Sequence, residues 1–523
     1  MKTFTQAALI ILDGWGYRED AKDNAIATAK TPNFDKLWEQ YPHALLEASG
    51  LAVGLTEGQM GNSEIGHTTI GTGKVMDTDL VRINKSISDR SFHRNESFMR
   101  LIEHVKRHGS KIHAIGLLSG GGVHSHEEHL YAFLELCKEQ GLKKEQVVIH
   151  AFTDARDVAP GTGAAYLKKL EDVLKEIGVG VIGSFGGRYH GMDRAGNWDR
   201  IAMVENAMFE CEGSVCDLKD QPASEFMKAQ YKKDPTGKID EYLEHHVVKA
   251  ADGGTYPVTK NDGIFFFNFR ADRARSLTQR IVERKEALNL YFVGMTNYGA
   301  SGTDIAFSTS SIETCLAEAI SKAGLSQSHV SESEKYPHVT FYFNGGSDTI
   351  YPNEKQIKVE SRTDIATHDL APEMMSKEIV NKAITELEAG SNFIVVNFPN
   401  ADVVGHTGNV PAIIAAIEAA DRECGRLVDA ILKRGGVAFV TADHGNAEVN
   451  VDPKTGEKHT AHTINPVPAI VTSKDLRFIA PSEMSAAEPH HAVVGGLADL
   501  APTMLALLGI ETPKAMTGKV LVK

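Results

Sequence analysis

Metal-ligating side chains recur at four places in the sequence: Asp13, Asp402 with His406, Asp443 with His444, and His462. Asp402-x-x-x-His406 brings a carboxylate and an imidazole close together, and Asp443-His444 sets oxygen and nitrogen donors side by side. Alone, either pair is an ordinary cap or hydrogen-bonded turn. Together, each at the end of an expected strand, they specify a divalent-cation site. Mixed oxygen and nitrogen ligation suits Mn²⁺, Zn²⁺ or a related ion, and absent thiolates argue against soft-metal or iron–sulfur use. Gly61-Asn62-Ser63-Glu64-Ile65-Gly66-His67 adds a candidate nucleophile. Ser63 lacks a G-x-S-x-G elbow, because Ile65 replaces the second glycine. A bound cation offers another route, lowering the hydroxyl pKa and holding the oxygen for attack without a Ser-His-Asp triad.

A second set of residues is cationic. His124 follows the Gly120-Gly121-Gly122 loop, Arg156 precedes Asp157, Arg188 and Arg194 follow a later strand, and Arg270 and Arg273 flank Asp272. Guanidinium forks bind carboxylate and phosphate bidentately, so these arginines describe an anion cup. The chain carries 55 Lys and Arg against 69 Asp and Glu, a net charge of −14. Such a surface repels polyanions, so the local positive set selects a small anion and not nucleic acid or an anionic membrane. Other motifs fail on inspection. Gly71-Thr72-Gly73-Lys74 lacks the first glycine and final hydroxyl of a Walker A loop, with Thr68 and Val75 there. Met76 and Tyr166 break the two dinucleotide-type glycine runs. Leu130 stands where H-E-x-x-H needs histidine. His126 and His129 are expected on the surface of an exposed helix start rich in acids.

Short β-branched or aromatic runs position these groups, each followed by a helical stretch: Ala7–Leu12, Ile112–Leu118, Val147–Phe152, Val179–Phe185, Gly263–Asn268, Leu290–Val293, Phe393–Asn397, Val437–Thr441 and Val467–Val471. The alternation predicts an α/β fold with mostly parallel sheets, whose strand carboxyl ends bind ligands. Asp13 must share a site with Asp402, so the arginine-bearing segment between them is an inserted second α/β domain. The expected boundaries are residues 1–78 and 309–523 for the discontinuous metal domain and 79–308 for the insertion. Linkers near Asp77–Leu80 and Ala306–Thr309 are the expected hinges. Apolar residues at 42% and charged residues at 24% describe a folded globular chain. The run Ala7–Leu12 stops too soon for a signal peptide, and Asp499 and Pro502 interrupt the apolar stretch around Val493–Ile510, so no export or membrane span is expected. Five scattered cysteines without a C-x-x-C pair fit a reducing cytoplasm.

As a set, Leu12-Asp13-Gly14-Trp15-Gly16, the heptad around Ser63, Asn268–Arg275, Glu334-Lys335-Tyr336-Pro337-His338-Val339-Thr340, Thr441–Asn446 and Thr460-Ala461-His462-Thr463 resemble the cofactor-independent phosphoglycerate mutases, in consistent order along the whole chain. That family is alkaline phosphatase-like. The resemblance implies a cytoplasmic, monomeric isomerase of glycolysis and gluconeogenesis that interconverts 3-phosphoglycerate and 2-phosphoglycerate. It implies a phosphoserine intermediate and two divalent ions, usually manganese. Carried over, Asp402, His406 and His462 hold one ion, and Asp13, Ser63, Asp443 and His444 the other. His124, Arg156, Asp157, Arg188, Arg194, Arg270 and Arg273 grip substrate, with Lys335 contributing from the metal domain. Asp157 is the acid/base candidate by placement, and closure of the arginine domain over the metal domain is expected to exclude water. A phosphomonoesterase, a phosphopentomutase-like enzyme and a non-catalytic anion binder are the rival classes. The arginine set disfavours the first two, and the metal set with Ser63 disfavours the third.

Overall fold

The computed structural model describes residues 2–234, 236, 238–308, 312–479 and 492–523. The chain divides into two units, Met1–Thr78 with Ser311–Lys523, and Asp79–Ser310.

In the first unit the described strands form a sheet in the order Glu354–Val359, Gln327–Glu332, Phe393–Phe398, Ala7–Leu12, Val437–Thr441, Val467–Val471, His43–Glu47, Val493–Gly496. Val467–Val471 runs antiparallel to both neighbours, and the other pairings are parallel. Ala7–Leu12 is buried at every residue, as a central parallel strand covered on both faces must be. Register then decides the site. Leu12 lies opposite Phe398 and Ile11 opposite Thr441, so three chains leave the sheet side by side, delivering Asp13, Asp402 and Asp443 to one edge. The long helix Val410–Lys433 starts with Pro411 in its first turn, where a missing N–H costs nothing. Ile413, Ile417, Leu427 and Ile431 recur at helical spacing and are fully buried, each contributing about 2 kcal/mol of burial.

The second unit has its own sheet, in the order Asp304–Ile305, Tyr291–Gly294, Gly263–Phe266, Ile112–Leu117, Val147–Thr153, Val181–Gly187, His246–Lys249, Ser214–Asp217. Here only Val181–Gly187 with His246–Lys249 is antiparallel among the described pairs. Leu117 faces Phe152 and Thr153 faces Gly187. The loops bearing His124, Asp154–Asp157 and Arg188 therefore start at neighbouring strand ends.

The α/β expectation holds, and the three strands Ala7–Leu12, Val437–Thr441 and Val467–Val471 have the expected bounds. Val179–Phe185 is corrected to Val181–Gly187. The helix expected after His124 does start at Glu127, capped by His126. Its exposure is a correction: His129 is fully buried and His126 half-buried. His129 Nε2 meets Asn84 Oδ1 at 2.8 Å, and the buried Glu127 takes Tyr131 Oη of its own helix at 3.0 Å and Lys169 Nζ at 2.8 Å, so Asn84 and Lys169, from other helices, draw this turn inward. At the expected linkers, Asp79 already begins the helix Asp79–Ser88. Ala306 and Phe307 donate to the sheet carbonyls of Gly294 and Met295, and Thr309 lies outside the described residues. All five cysteines are free. Among the described residues no helix is long and apolar enough to cross a membrane.

Candidate active site

Asp13, the residue after the central strand, is completely buried. Its backbone N–H donates to Phe398 O at 3.0 Å. The chain then turns through Gly14 at φ +74°, where a Cβ would lie 2.8 Å from the Asp402 backbone, so only glycine lets these two ligand-bearing segments touch. Asp402 sits in the short helix Asn400–Gly405 and Asp443 just past Val437–Thr441. Ser63 opens the helix Ser63–Thr72, whose cap Asn62 accepts from Ile65 N–H at 2.9 Å. That places the hydroxyl at the positive end of a helix. Ser63 Oγ is 3.4 Å from Asp13 Oδ1 and 3.0 Å from His444 Nε2. Lys335 Nζ donates to Ser63 Oγ, to Asp13 Oδ1 at 2.8 Å and to Asp402 Oδ2 at 2.7 Å. Burial works against the ammonium, but Asp13, Asp402 and Asp443 outweigh it and hold Lys335 charged.

Two groups of donors converge: Asp402, His406 and His462, and Asp13, Asp443 and His444, with ligand atoms inside each group within 4.8 Å of one another. His406 Nδ1 donates to Thr460 O at 2.7 Å and His462 Nδ1 to Gly61 O at 2.8 Å. With both Nδ1 protons so used, two Nε2 lone pairs lie 3.1 Å apart and point at Asp402 Oδ1, 3.3 and 3.2 Å away. Two imidazole nitrogens and a carboxylate oxygen converging this closely make a mixed N/O ligand set for a divalent cation. In the other group, burial and the neighbouring Asp443 push the Asp13 carboxyl up. Asp443 Oδ2 is buried 3.2 Å from His67 Nδ1, whose better-placed acceptor is Ser63 O, and takes no hydrogen bond of good geometry. Three buried carboxylates against one lysine is an excess of negative charge that bound metal would offset.

In the second unit, Arg188 is buried and its Nη1 lies 2.7 Å from Asp154 Oδ1 and 3.0 Å from Asp157 Oδ2. Arg156 pairs with Glu241. Arg194 Nη1 and Arg270 Nε reach opposite oxygens of Asp272 at 3.3 and 3.2 Å. Arg273 Nη1 donates to Met192 O at 3.2 Å. A cavity of about 170 Å³ is lined by Arg156, Arg188, Arg194, Arg200 and Arg273 with Tyr189 and Glu241. Burial, then the positive field of Arg194, Arg188 and Arg156, lower the affinity of the Arg273 guanidinium for its proton. His124 is buried 3.6 Å from Asp272, and burial with Arg188 pushes its pKa down to about 4, so it faces this field as a neutral imidazole. Gly121 lacks a side chain for a spatial reason: a Cβ there would lie 2.5 Å from Asp157 O.

Residues 5–512 match the Metalloenzyme superfamily model. The chain is 43% identical over 521 residues to the 2,3-bisphosphoglycerate-independent phosphoglycerate mutase of Clostridium perfringens, covering 98% of each chain. It is 42% identical over 525 residues to that of Clostridioides difficile, again covering 98% of each. The chain belongs to the 2,3-bisphosphoglycerate-independent phosphoglycerate mutase family. The solved phosphoglycerate mutase of Leishmania mexicana, crystallised at low cobalt concentration, aligns with a TM-score of 0.55 and 28% identity over 99% of this chain and 97% of that one. Membership of a metalloenzyme superfamily agrees with the donor chemistry above, and the family resemblance drawn from motifs holds.

Several residues around the family's site were not singled out by sequence. Asn397 donates to Asp13 Oδ2 at 2.7 Å, and Asn446 to Asp402 Oδ1 at 3.2 Å. The fully buried Glu448 accepts from Asn446 N–H and Asn465 Nδ2, both at 2.9 Å, and from Thr463 Oγ1, tying the loop of Asp443 to that of His462. His67 donates Nδ1–H to Ser63 O at 2.9 Å, holding the first helical turn. Asn446 and His67 stand inside the motifs that carry the resemblance, and that adjacency was the available signal. Asp154 and Glu241, the acids that hold Arg188 and Arg156, left none.

Proposed function

We propose that this chain interconverts 3-phosphoglycerate and 2-phosphoglycerate by transfer through Ser63, without 2,3-bisphosphoglycerate. The observation that carries the proposal is Ser63 itself: a buried hydroxyl at a helix N-terminus, touched by Lys335 and set against Asp13 and His444. Asp402, His406 and His462 would hold one divalent ion and Asp13, Ser63, Asp443 and His444 a second, with Mn²⁺ the family's usual metal. When bound, these ions favour loss of the Ser63 proton and neutralise charge on the phosphoryl oxygens. Ser63 Oγ forms a bond to phosphorus as the bond from phosphorus to the glycerate oxygen breaks. Lys335 Nζ, already on Ser63 Oγ, offsets charge on the transferred group. The departing glycerate oxygen takes a proton from Asp157, the proposed relay beside Arg188, whose carboxylate takes up the proton that Ser63 gives up and returns it when Ser63 is set free. In the return step the other glycerate hydroxyl attacks phospho-Ser63 and gives its proton back to Asp157. Arg188, Arg156, Arg194, Arg270, Arg273 and His124 keep the glycerate in place meanwhile, so that water does not take the phosphoryl group. The same reading makes the enzyme a cytoplasmic monomer.

Ser63→Ala separates this from an anion-binding module. Calorimetric binding of 3-phosphoglycerate should survive within about threefold while isomerisation falls by about 10⁴ or more. Retained isomerisation would overturn the phosphoserine route.

A further inference from the structure

We propose that Asp154 is a positioning residue that competes with Asp157 for Nη1 of the Arg188 guanidinium and so keeps Arg188 from closing onto Asp157. The inference rests on the reading of Asp157 and Arg188 as groups that meet the substrate. Asp154 is 1% exposed and saturated with donors. Its Oδ1 accepts the backbone N–H of Ala155 at 2.8 Å, of Arg156 at 2.9 Å and of Asp157 at 3.2 Å, together with Arg188 Nη1 at 2.7 Å. Its Oδ2 accepts Ser119 Oγ at 2.7 Å, and Ser119 Oγ accepts Gly121 N–H at 3.1 Å. One carboxylate thus organises the loop of Asp157, the side chain of Arg188 and the glycine loop that leads to His124.

The charge count gives this arrangement its consequence. A single buried guanidinium, 3% exposed, offers one nitrogen, Nη1, to two carboxylates, nearer to Asp154 than to Asp157. Asp157 Oδ2 is buried and takes no hydrogen bond of good geometry although Arg188 Nη1 is 3.0 Å away. Burial disfavours the Asp154 anion, but the Arg156 N–H and Arg188 outweigh it and keep it ionised. Remove that charge and Arg188 is left with one carboxylate in a poorly solvated place, where a one-to-one pair tightens and is costly to separate. Both partners would then be taken from the substrate at once.

Asp154→Asn is the direct test, because the amide oxygen still accepts the loop N–H groups while the charge is gone. Calorimetry on the chelator-stripped full chain should show 3-phosphoglycerate binding weakened about tenfold, with the thermal midpoint close to wild type. Adding Asp157→Asn removes the carboxylate onto which Arg188 closes, so the double variant should bind better than the single one, a rescue that a merely structural role does not give. Unchanged binding in Asp154→Asn, or a double variant as weak as or weaker than the single, overturns the inference. Should Asp154→Asn not fold, Asp154→Ser keeps an oxygen for the loop N–H groups without the charge and should weaken binding likewise, again reversed by Asp157→Asn; no change there also counts against it. Wild-type protein that binds 3-phosphoglycerate but does not isomerise it contradicts the proposed function instead and leaves this inference standing.

Discussion

The two units solve opposite electrostatic problems in opposite ways. In the first, Asp13, Asp402 and Asp443 are gathered into burial with one lysine, and two imidazoles turn their lone pairs toward a shared carboxylate. In the second, four of the five site arginines are already matched with an acid: Arg156 with Glu241, Arg188 with Asp154, and Arg194 and Arg270 with Asp272. The first carries more negative charge than its lysine offsets, which suits a bound cation. The second is close to balanced and offers an anion exchangeable partners. A site that must retain its ion tolerates unpaired buried charge, whereas one that must admit and release substrate keeps its charges paired and mostly exposed.

The largest expected consequence is in local stability. Mn²⁺ added to chelator-stripped protein at about 1,000 times its Kd should stabilise by about 4 kcal/mol. Hydrogen exchange should place the protection in residues 1–78 and 312–523, while 3-phosphoglycerate protects residues 79–308. Metal protection spread over the second unit instead would break the contrast. Next come the arginines. Arg188 has a side-chain exposure of 3% and Arg270 of 52%. Arg188→Ala strands two buried carboxylates and should lower kcat/KM by about 10³, against about tenfold for Arg270→Ala. Equal losses would show that burial does not rank these side chains.

The smallest effect concerns acid. Burial pushes the pKa of His129 down to about 3, so the folded second unit holds it neutral. Below about 6.5 the unfolded chain binds a proton that the folded chain refuses, so the stability present at higher pH is lost as pH falls toward 3. Between pH 6.5 and 5 His129 should account for about 2 kcal/mol of that loss. Urea denaturation should show a shallower pH dependence in His129→Gln, which keeps a donor for Asn84; an unchanged slope would remove His129 as its source.

Legibility in the sequence followed the kind of partner each residue has. Ala7–Leu12 and Val437–Thr441 read as strands because burial on both faces demands unbroken apolar runs. Gln327–Glu332 is equally buried but polar and so is missing from the expected strands, because its side chains are satisfied by groups outside the strand: Gln327 Nε2 by Ala317 O at 2.7 Å and His329 Nδ1 by Val339 O at 2.6 Å. Glu354–Val359 stands at the edge of the same sheet, with half-exposed lysines that give it no strand pattern. His129 was misjudged for a related reason, since Asn84 meets it from another helix. Asp13, Asp402 and Asp443 stand within four residues of a strand's carboxyl end, so position and chemistry coincide in the text. Asp154 and Glu241 gain their meaning only from arginines 34 and 85 residues away.

Phosphoryl transfer without release is what separates a mutase from a phosphatase. Chelator-stripped protein should be given 3-phosphoglycerate with and without Mn²⁺, with no bisphosphoglycerate, while 2-phosphoglycerate and inorganic phosphate are both followed. Metal-dependent appearance of 2-phosphoglycerate with little free phosphate is the predicted result; phosphate release without isomerisation would contradict it and make the chain a phosphatase.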